Sequence, residues 1–505
     1  EKRRAEGKVG KISRIIVRSR TQNEEKREKS RHIVVAIALL LIVGVGFLKA
    51  PAGLTPAGME VIGIFAGALL LWLTISIDWP SLICIIAVGL MPIFTVKDIL
   101  GSSFGNETVV FLICTFLCTY ALSKTPFLRR CALAMVTSRL AQKGPWQFAI
   151  TFFGAVLIIG CFMSPTVLFV IFISILEEVY NVLGLKKGDK IAKMLMLGLV
   201  FCTSISAGMT PIAHVFSIMA IGFYEAATGL TIGYGPYMLF AIPVGIICFI
   251  LMMLMFKVIL RPDMSRIKSV DVSHLKKELE PFGKRELYAF ITFALVIAAW
   301  VLPSLLKNIF PDICTLVSGL GTAMPPMIGA VVLSIIAPDG KPLLNFGEGM
   351  KAGVPWSSII MSAGTLTIGM AMTNEEVGLS QWLVDTLGPM LTGVTPIFLV
   401  IIVTLWAAIQ TNLSSNMVTV TVVTAVAIPI MLATNGTVNT PAVVCIIGMM
   451  SAYAFATPPA MPHVAIASGS GWCSVGDLLV YGMIQMIIGV LIAVIVGYPI
   501  ACLVM

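Results

Sequence analysis

Two short stretches place proline, threonine and histidine inside long apolar runs of the chain. They read MTPIAHV, from Met209 to Val215, and ATPPAMPHV, from Ala456 to Val464. Proline lacks a backbone donor and breaks a helix, so each stretch would release backbone amides and carbonyls from their helical partners. Amides at the start of a half-helix attract anions, whereas carbonyls and hydroxyls at the end of a half-helix suit cations. The breaks therefore predict a site for a small anion, a cation, or both.

The composition indicates that these breaks lie within membrane spans. The 505 residues are 58% hydrophobic and 12% charged, with a mean hydropathy of +0.98, whereas about a quarter of the residues in soluble domains are charged. No Asp, Glu, Lys or Arg occurs between Asp385 and Asp477. Repeated apolar stretches of about 18–25 residues indicate helices that span a bilayer. We predict an all-α polytopic membrane protein with about 11 transmembrane helices, integral to the plasma membrane.

Basic residues are concentrated in two segments, and their distribution orients the chain. The tail 1–32 carries 12 Lys or Arg against 5 acids, and Arg261–Glu286 carries 7 against 5. Both segments flank apolar spans, so the excess of positive charge on cytoplasmic loops explains them more simply than nucleic-acid binding does. We predict a cytoplasmic amino terminus, with the tail as an amphipathic helix on the membrane surface, and no nucleic-acid partner. The tail has no cleavage site after a short apolar core, so a removable signal peptide is not expected.

The same order of features occurs in two halves of the chain. In each half a Ser-containing turn precedes the Thr-Pro break, by 46 residues from Ser164 to Thr210 and by 42 residues from Ser415 to Thr457. Matching interruptions in two halves are typical of secondary transporters built from repeats. With an odd number of spans in each half, the second repeat would be inverted and the two breaks would frame one central site. The predicted segments are the tail 1–32, a first transmembrane helix at 33–53, repeat 1 at 54–261, a basic linker at 262–286 and repeat 2 at 287–505.

These features resemble the divalent anion–sodium symporters, which move dicarboxylates, citrate or sulfate. The resemblance covers roughly Pro56 to the end and rests on FGNETVVFLICTFLCTYALSKTPFLRR and ATPPAMPHVAIASGSGWCSVGDLLVYG. It implies two inverted repeats, each with a re-entrant hairpin and a broken helix, and a homodimer that works by an elevator-type movement. Two amphipathic segments, Phe127–Ala141 and Val377–Leu387, are candidate arms that link a fixed scaffold to a mobile transport unit.

The family carries a Ser-Asn-Thr triplet at each hairpin tip and a Thr-Pro-Pro-Asn type loop in each half, which assigns candidate substrate-binding residues. A histidine follows each break; the simpler interpretation is a polar residue at a loop edge, and the alternative is a hydrogen-bond donor to a carboxylate or a titrating charge near neutral pH. The candidates are Ser164-Pro165-Thr166 and Ser415-Asn416-Met417 at the tips, Thr210-Pro211-Ile212-Ala213 and Thr457-Pro458-Pro459-Ala460 in the loops, and His214 and His463.

The resemblance also implies sodium as the coupling ion, bound in each repeat by uncharged oxygens. The repeat 1 site is expected to be weakened, because Gly160 has no hydroxyl and Pro165 has no side-chain oxygen. Met417 likewise removes a hydroxyl from the expected anion site. The candidate sodium ligands are Thr411, Ser414, Asn416 and Ala456 in repeat 2, and Gly160, Ser164 and Gly208 in repeat 1.

These departures leave several functions open. Fewer coupled sodium ions, a less charged substrate, sodium-independent anion exchange, and a non-transporting scaffold or receptor derived from a transporter are each consistent with them. A sodium/proton antiporter would need an acidic residue in mid-membrane, which neither break provides. An enzyme would need a nucleophile–base pair or acidic ligands. We interpret Glu107, Lys124 and Glu225 as interfacial or loop residues. The sequence favours sodium-coupled transport of a small anion, with a di- or tricarboxylate preferred, by a protein that is not an enzyme.

Overall fold

A computed structural model describes residues 30–212, 214–264, 281–306, 309–391, 394–434 and 436–505. Over these residues the chain folds into α-helices joined by short loops. The all-α polytopic fold predicted from the sequence is confirmed. The amphipathic helix predicted in the tail, the central part of the basic linker, and Ala213 of the first break lie outside the described residues.

The helices before the linker are α1 (Ser30–Phe47), α2 (Pro56–Thr74), α3 (Trp79–Gly89), α4 (Val96–Ser102), α5 (Glu107–Ser123), α6 (Phe127–Val136), α7 (Pro145–Gly160), α8 (Pro165–Val182), α9 (Lys190–Met209), α10 (Val215–Thr228) and α11 (Tyr234–Met255). Those after it are α12 (Lys284–Leu306), α13 (Pro311–Ser318), α14 (Met324–Ile335), α15 (Phe346–Gly353), α16 (Trp356–Thr373), α17 (Leu379–Leu391), α18 (Pro396–Leu413), α19 (Asn416–Leu432), α20 (Thr440–Ala452), α21 (Pro462–Ser470) and α22 (Val475–Val504).

The number of membrane spans depends on how the broken helices are counted. Among the described residues, eight helices are individually long and apolar enough to cross a membrane. The pairs α4–α5 and α15–α16 bend by 40° and 74°, and counting each pair as one span raises the number to ten. The sequence predicted about eleven. The two numbers differ because breaks and hairpins leave apolar helices that are shorter than a full span. Helices such as α7, α10 and α20 are too short to be counted alone.

Helix pairings in the first half recur in the second. α3 packs on α16 as α14 packs on α5, and α2 pairs with α3 as α12 pairs with α14. Each half also contains a hairpin, α7–α8 or α18–α19, followed by a broken helix, α9–α10 or α20–α21. Both helices of each hairpin pack on the first segment of their own broken helix. The fold thus contains the repeated hairpin and broken helix that the Thr-Pro stretches predicted.

The second segment of each broken helix packs across the boundary between the repeats. α10 lies against α19 and α20, α21 lies against α8 and α9, and α9 contacts α20. Glycines allow this approach: a Cβ on Gly208 would lie 2.7 Å from the Tyr453 ring, and one on Gly448 would lie 2.8 Å from the Cα of Ser217. Small residues let helix backbones come close in membrane proteins. The centre of the protein is therefore built jointly by both halves.

Both amphipathic segments form helices, α6 and α17, beside the hairpins. α6 packs on α7, and Arg130 on α6 makes a two-point ion pair with Glu286 near the start of α12, with both nitrogen–oxygen distances at 2.9 Å. Glu286 is only 3% exposed. A carboxylate this buried needs a charged partner to offset its lost hydration. The pair therefore ties α6 to α12 while the other side of α6 contacts the hairpin.

Replacing Gly448 with alanine should lower the midpoint of thermal unfolding in detergent, because the new methyl group would overlap the α10 backbone. Gly154→Ala in α7 is the matched control, since a Cβ there has no other atom within 4 Å and alanine favours a helix by up to about 1 kcal/mol over glycine. We expect the control to unfold at the wild-type temperature or above it. Equal midpoints for the two variants would contradict the close packing of α10 on α20.

Candidate functional site

The threonine of each Thr-Pro break is hydrogen-bonded to the end of its own hairpin. The Thr210 hydroxyl donates to the carbonyl of Cys161, directly after α7, and the Thr457 hydroxyl donates to the carbonyl of Asn412, in the last turn of α18, at 2.5 Å. Carbonyls in the last turn of a helix have no helical partner, so they are available to such donors. These equivalent contacts place each break loop beside a hairpin tip.

The second break is wider than the first. α9 ends at Met209 and α10 begins at Val215, whereas α20 ends at Ala452 and α21 begins only at Pro462. Residues unwound from a helix lose their backbone partners, and a buried amide or carbonyl without a partner is costly. The wider break therefore needs hydrogen bonds from outside the helix.

One amide side chain, that of Asn412, supplies most of these bonds. Its Oδ1 accepts from the backbone amides of Phe455 at 2.7 Å and Ala456 at 3.0 Å. Its Nδ2 donates to the carbonyls of Tyr453 and Ala408, both at 2.9 Å. Asn412 is fully buried, and these contacts use its whole hydrogen-bonding capacity. Sequence reasoning missed this residue, although an asparagine directly after Thr411 in an apolar run was a signal for it.

In repeat 1 a hydroxyl from another helix occupies the space beside Gly160. Gly160 stands where repeat 2 has Thr411, whose hydroxyl donates to the carbonyl of Ser451 at 2.7 Å. The Oγ of Ser206, on α9, lies 2.1 Å from the point that a Cβ on Gly160 would occupy. A hydroxyl is thus present at this place in both repeats. Sequence reasoning missed Ser206, although the run TSIS from Thr203 to Ser206 is unusually polar for a buried helix.

Two carbonyls at or beside the predicted repeat 1 sodium site already accept hydrogen bonds from the protein. Thr210 donates to the carbonyl of Cys161, and the Tyr237 hydroxyl donates to the carbonyl of Gly208 at 2.8 Å. Because Tyr237 donates there, its oxygen accepts from the Ser217 hydroxyl, at 2.6 Å. These contacts occupy the carbonyls of Cys161 and Gly208, and the weakened sodium site of repeat 1 stays a prediction.

Repeat 2 instead has a buried side chain without partners, that of Asn416. Asn416 begins α19 and is 2% exposed, yet its Oδ1 and Nδ2 have no hydrogen-bond partner among the described residues. A buried amide without partners costs about 1–3 kcal/mol, so the site has a reason to take up a ligand. The oxygen suits a cation and the NH₂ suits an anion. The predicted ligands Thr411 and Ser414 precede it on the chain, and Ala456 is held by Asn412.

The hairpin tips and the second loop are more accessible than the first loop. Ser164 and Ser415 precede α8 and α19 without capping them through their side chains, so both hydroxyls are available to other groups. The remaining candidates differ in exposure: Thr166, Thr457 and Pro458 are partly exposed, Pro459 is exposed, and Pro165, Met417, Thr210 and Pro211 are buried.

The two histidines do not occupy equivalent positions. His214 is the residue before α10, with φ −150° and ψ 154°, and its Nδ1 accepts from the amide of Val215 at 3.0 Å. The residue with the same backbone before α21 is Met461, with φ −148° and ψ 151°. His463 lies two residues later and corresponds to Phe216, on which the His214 ring stacks at 4.0 Å. Since Nδ1 of His214 accepts, the hydrogen of its neutral ring lies on Nε2.

His463 connects the second break to the first repeat. The Ser204 hydroxyl, on α9, donates to the carbonyl of Ala454 at 2.6 Å, so it must accept the 2.9 Å contact from Nε2 of His463. This assigns the hydrogen of the neutral ring to Nε2 and leaves Nδ1 buried with no partner among the described residues. His463 therefore already donates to the protein, whereas the donor of His214 is not used by the contact at its Nδ1.

Asn412→Ala should open the second break, because it leaves the amides of Phe455 and Ala456 without acceptors, at about 1–3 kcal/mol each. We expect a lower unfolding midpoint and faster hydrogen exchange over 453–461, measured by mass spectrometry. Cys161→Ala, at the equivalent place in repeat 1, is the control, because its side chain makes one weak bond to Leu157. Exchange over 453–461 that stays as slow as in the wild type would contradict the role of Asn412.

Known proteins with similar sequences and structures belong to transporter families. The family described as the sodium:sulfate symporter transmembrane region matches residues 29–505. The sodium-dependent dicarboxylate transporter SdcS of Staphylococcus saprophyticus is 23% identical over 500 residues, covering 94% of this chain and 93% of the relative. SdcS of Staphylococcus aureus strain USA300 is 22% identical over 462 residues, covering 89% and 87%.

Among solved structures, the YdaH transporter of Alcanivorax borkumensis, described as having an unusual topology, has a similar fold. Its TM-score is 0.53 at 14% identity, over 81% of this chain and 86% of that one. The resemblance predicted from the hairpin tips and the paired breaks is confirmed by the family match over nearly the whole chain. The chain is an integral multi-pass membrane protein and belongs to the sodium:sulfate symporter family.

Proposed function

We propose that the chain is a secondary active transporter that moves a small anion, preferably a di- or tricarboxylate, together with sodium. Membership in the sodium:sulfate symporter family supports anion transport, and the names of the SdcS relatives support sodium and dicarboxylates. The observation that carries the proposal is the buried amide of Asn416, which has no hydrogen-bond partner in the described part of the chain. It lies at the tip of a hairpin whose repeat-related partner has a proline there. Such an amide offers one acceptor to a cation and two donors to an anion.

Charge balance makes sodium a physical requirement of this proposal. No Lys or Arg occurs in the hairpin tips or the break loops, so a multiply charged anion would lose its hydration there without a protein cation to offset the cost. Sodium at the Asn416 oxygen would supply that positive charge and favour binding of the anion afterwards. The amino ends of α8 and α19 would add backbone amides. Repeat 1, in which the Gly208 carbonyl is already hydrogen-bonded, would contribute less to sodium binding.

Alternating access would arise from movement of one part of the protein against another. We assign the hairpins α7–α8 and α18–α19 and the broken helices α9–α10 and α20–α21 to a mobile unit, because they pack on one another. α2, α3, α5, α12, α14 and α16 would form the scaffold, with α6 and α17 as the connecting arms. The proposal also includes repeat boundaries at 54–261 and 287–505. It further includes a homodimer in the plasma membrane with a cytoplasmic amino terminus.

Purified protein in liposomes should take up radiolabelled succinate or citrate when sodium is supplied outside. Sodium activation should be hyperbolic, since one site is expected to dominate, and Asn416→Ala should raise the sodium concentration for half-activation at least tenfold. Pro165→Ala, at the equivalent tip of repeat 1, is the control and should leave sodium activation near the wild type. Labelled sulfate tests the less preferred substrate class.

Equal uptake with and without sodium, together with counterflow in sodium-free vesicles, would replace symport by anion exchange. Absence of uptake and counterflow for all three anions would instead favour a scaffold or receptor descended from a transporter. Either result would overturn the proposal of sodium-coupled transport, and the two results are distinguishable in the same vesicles.

The two histidines should give different defects. His214→Ala should raise the KM for the anion severalfold, because it removes the Nε2–H donor, and should lower the unfolding temperature slightly, because the Val215 amide loses its acceptor. His463→Ala should lower the unfolding temperature, because Ser204 loses the donor that links α9 to the second break. His463→Gln, which keeps a donor, should recover part of that loss. An unchanged KM in His214→Ala would contradict a role in anion binding.

A further inference from the structure

A cleft of 240 Å³ lies where the tip of the first hairpin meets the scaffold. Its walls come from Met163, Ser164 and Val167 of the hairpin, from Phe116–Ser123 on α5, and from Ala352–Pro355 between α15 and α16. Hydroxyls of the α5 residues and of Ser164 line a surface that is otherwise apolar. The cleft is therefore a mainly apolar space with a few hydroxyls, and it reaches one of the predicted substrate-binding tips.

Three polar side chains meet beside this cleft. The Tyr120 hydroxyl donates to Oε1 of Glu348 at 2.6 Å, and Nζ of Lys124 lies 3.2 Å from the same oxygen. Lys124 also lies 4.9 Å from the centre of the Tyr120 ring. The contacts with Tyr120 and then Glu348 raise the pKa of Lys124 above its ordinary value. Tyr120 and Lys124 thus already bind one carboxylate, which belongs to the protein itself.

Backbone packing fixes the distance between the two sides of this cluster. A Cβ on Gly353 would lie 2.7 Å from Cβ and Cγ of Tyr120, and one on Gly349 would lie 2.9 Å from the Leu117 side chain. The two glycines therefore allow the turn that carries Glu348 to lie directly on α5. Asn345 caps the start of this turn through a bond to the Glu348 amide at 3.2 Å. This packing fixes the backbone of Glu348 beside Tyr120 and Lys124, while its side chain remains exposed.

We propose that Lys124 and Tyr120 form a receiving site for a carboxylate of the transported anion at the mouth of the cleft, and that Glu348 is a displaceable occupant of that site. The proposal rests on the proposed function, since it takes the substrate to be a carboxylate. An arriving dianion would exchange with Glu348, place one carboxylate on Lys124 and Tyr120, and direct the other along the cleft towards Ser164.

The exposure of the pair suits such an exchange. The side chains of Lys124 and Glu348 are 56% and 53% exposed, and ion pairs this exposed contribute little to stability. Water and a free carboxylate can therefore reach Lys124 without unfolding any part of the protein. A cation at the mouth of a cleft with apolar walls raises the local concentration of anions and their rate of entry. Lys124 and Tyr120 thus contact the anion as it enters the cleft, whereas the hairpin tip belongs to the site where the anion finally binds.

A labelling experiment tests the receiving site without requiring transport. Val167→Cys places a thiol in the cleft, and purified protein is treated with an anionic sulfonatoethyl or a cationic trimethylammonium-ethyl methanethiosulfonate. The chain has 11 free cysteines, of which Cys502 is exposed, so the modified peptide is quantified by mass spectrometry. We expect the anionic-to-cationic rate ratio to rise roughly three- to tenfold with Glu348→Gln and to fall similarly with Lys124→Gln.

Lys351→Gln is the matched control for Lys124→Gln, because both variants remove one positive charge. Lys351 is exposed and lies in the same turn as Glu348. It should change the ratio much less than Lys124→Gln. Succinate should slow the labelling of Val167→Cys, and Lys124→Gln should weaken that protection. A labelling ratio that does not respond to Lys124→Gln would overturn the receiving site, because no electrostatic steering would remain to explain. A ratio that responds equally to Lys351→Gln would overturn it in favour of a general effect of charge.

Uptake kinetics separate this inference from the proposed function. In liposomes, Glu348→Gln should lower the KM for succinate and Lys124→Gln should raise it, each severalfold, with the maximal rate nearly unchanged. If the wild type moves no anion while the labelling ratio changes as expected, the transport proposal fails and the receiving site stands. If the wild type transports succinate but the labelling ratio and the KM are the same in all variants, the receiving site fails and transport stands.

Discussion

The hydrogen bond from each break threonine to the end of its hairpin helix is the contact on which the rest of the site depends. A bilayer offers no water to unwound backbone, so a break persists only where the protein supplies partners. Thr210 and Thr457 supply one such partner each and, in doing so, bring a loop and a hairpin tip together. The same contact occurs in both repeats although the residues that accept it, a cysteine and an asparagine, are different. A backbone carbonyl is the acceptor in each case, so the contact tolerates changes of side chain.

Beyond that shared contact the two repeats differ in how they satisfy their polar groups. In repeat 1 the helix continues to Met209, and Tyr237 and Ser206 occupy the neighbouring space. In repeat 2 the helix ends earlier, Asn412 holds the unwound segment, and the Asn416 amide has no partner within the ranges that the structure describes. The carbonyls beside the first break are thus hydrogen-bonded by Thr210 and Tyr237, whereas at the second hairpin tip the described residues provide no partner for the Asn416 side chain. An asymmetric site of this kind follows from a few substitutions and needs no change of fold.

Local signals explain which parts of this arrangement were predictable. Proline and hydroxyl residues in apolar runs mark breaks directly, so the hairpins, the broken helices and their repetition could be predicted from the sequence. Contacts between distant helices carry no such signal. Ser206 occupies the space beside Gly160, and Lys124 meets Glu348, only because the fold brings separate elements together. The histidines also show that sequence similarity alone does not establish structural equivalence. The similar sequences of the two stretches suggested equivalent positions, but His463 corresponds to Phe216.

The exchange of broken-helix segments between the repeats has a consequence for how the protein is made. Ser204 in α9 finds its partner in His463, 259 residues later in the chain, and α21 also covers α8. Until repeat 2 has been synthesised, the Ser204 hydroxyl lacks both of these partners, Ala454 and His463. Both partners become available only after the second hairpin, α18–α19, has been followed by α20 and α21. The buried polar contacts of Ser204 in the first repeat are therefore completed only by the folding of the second repeat.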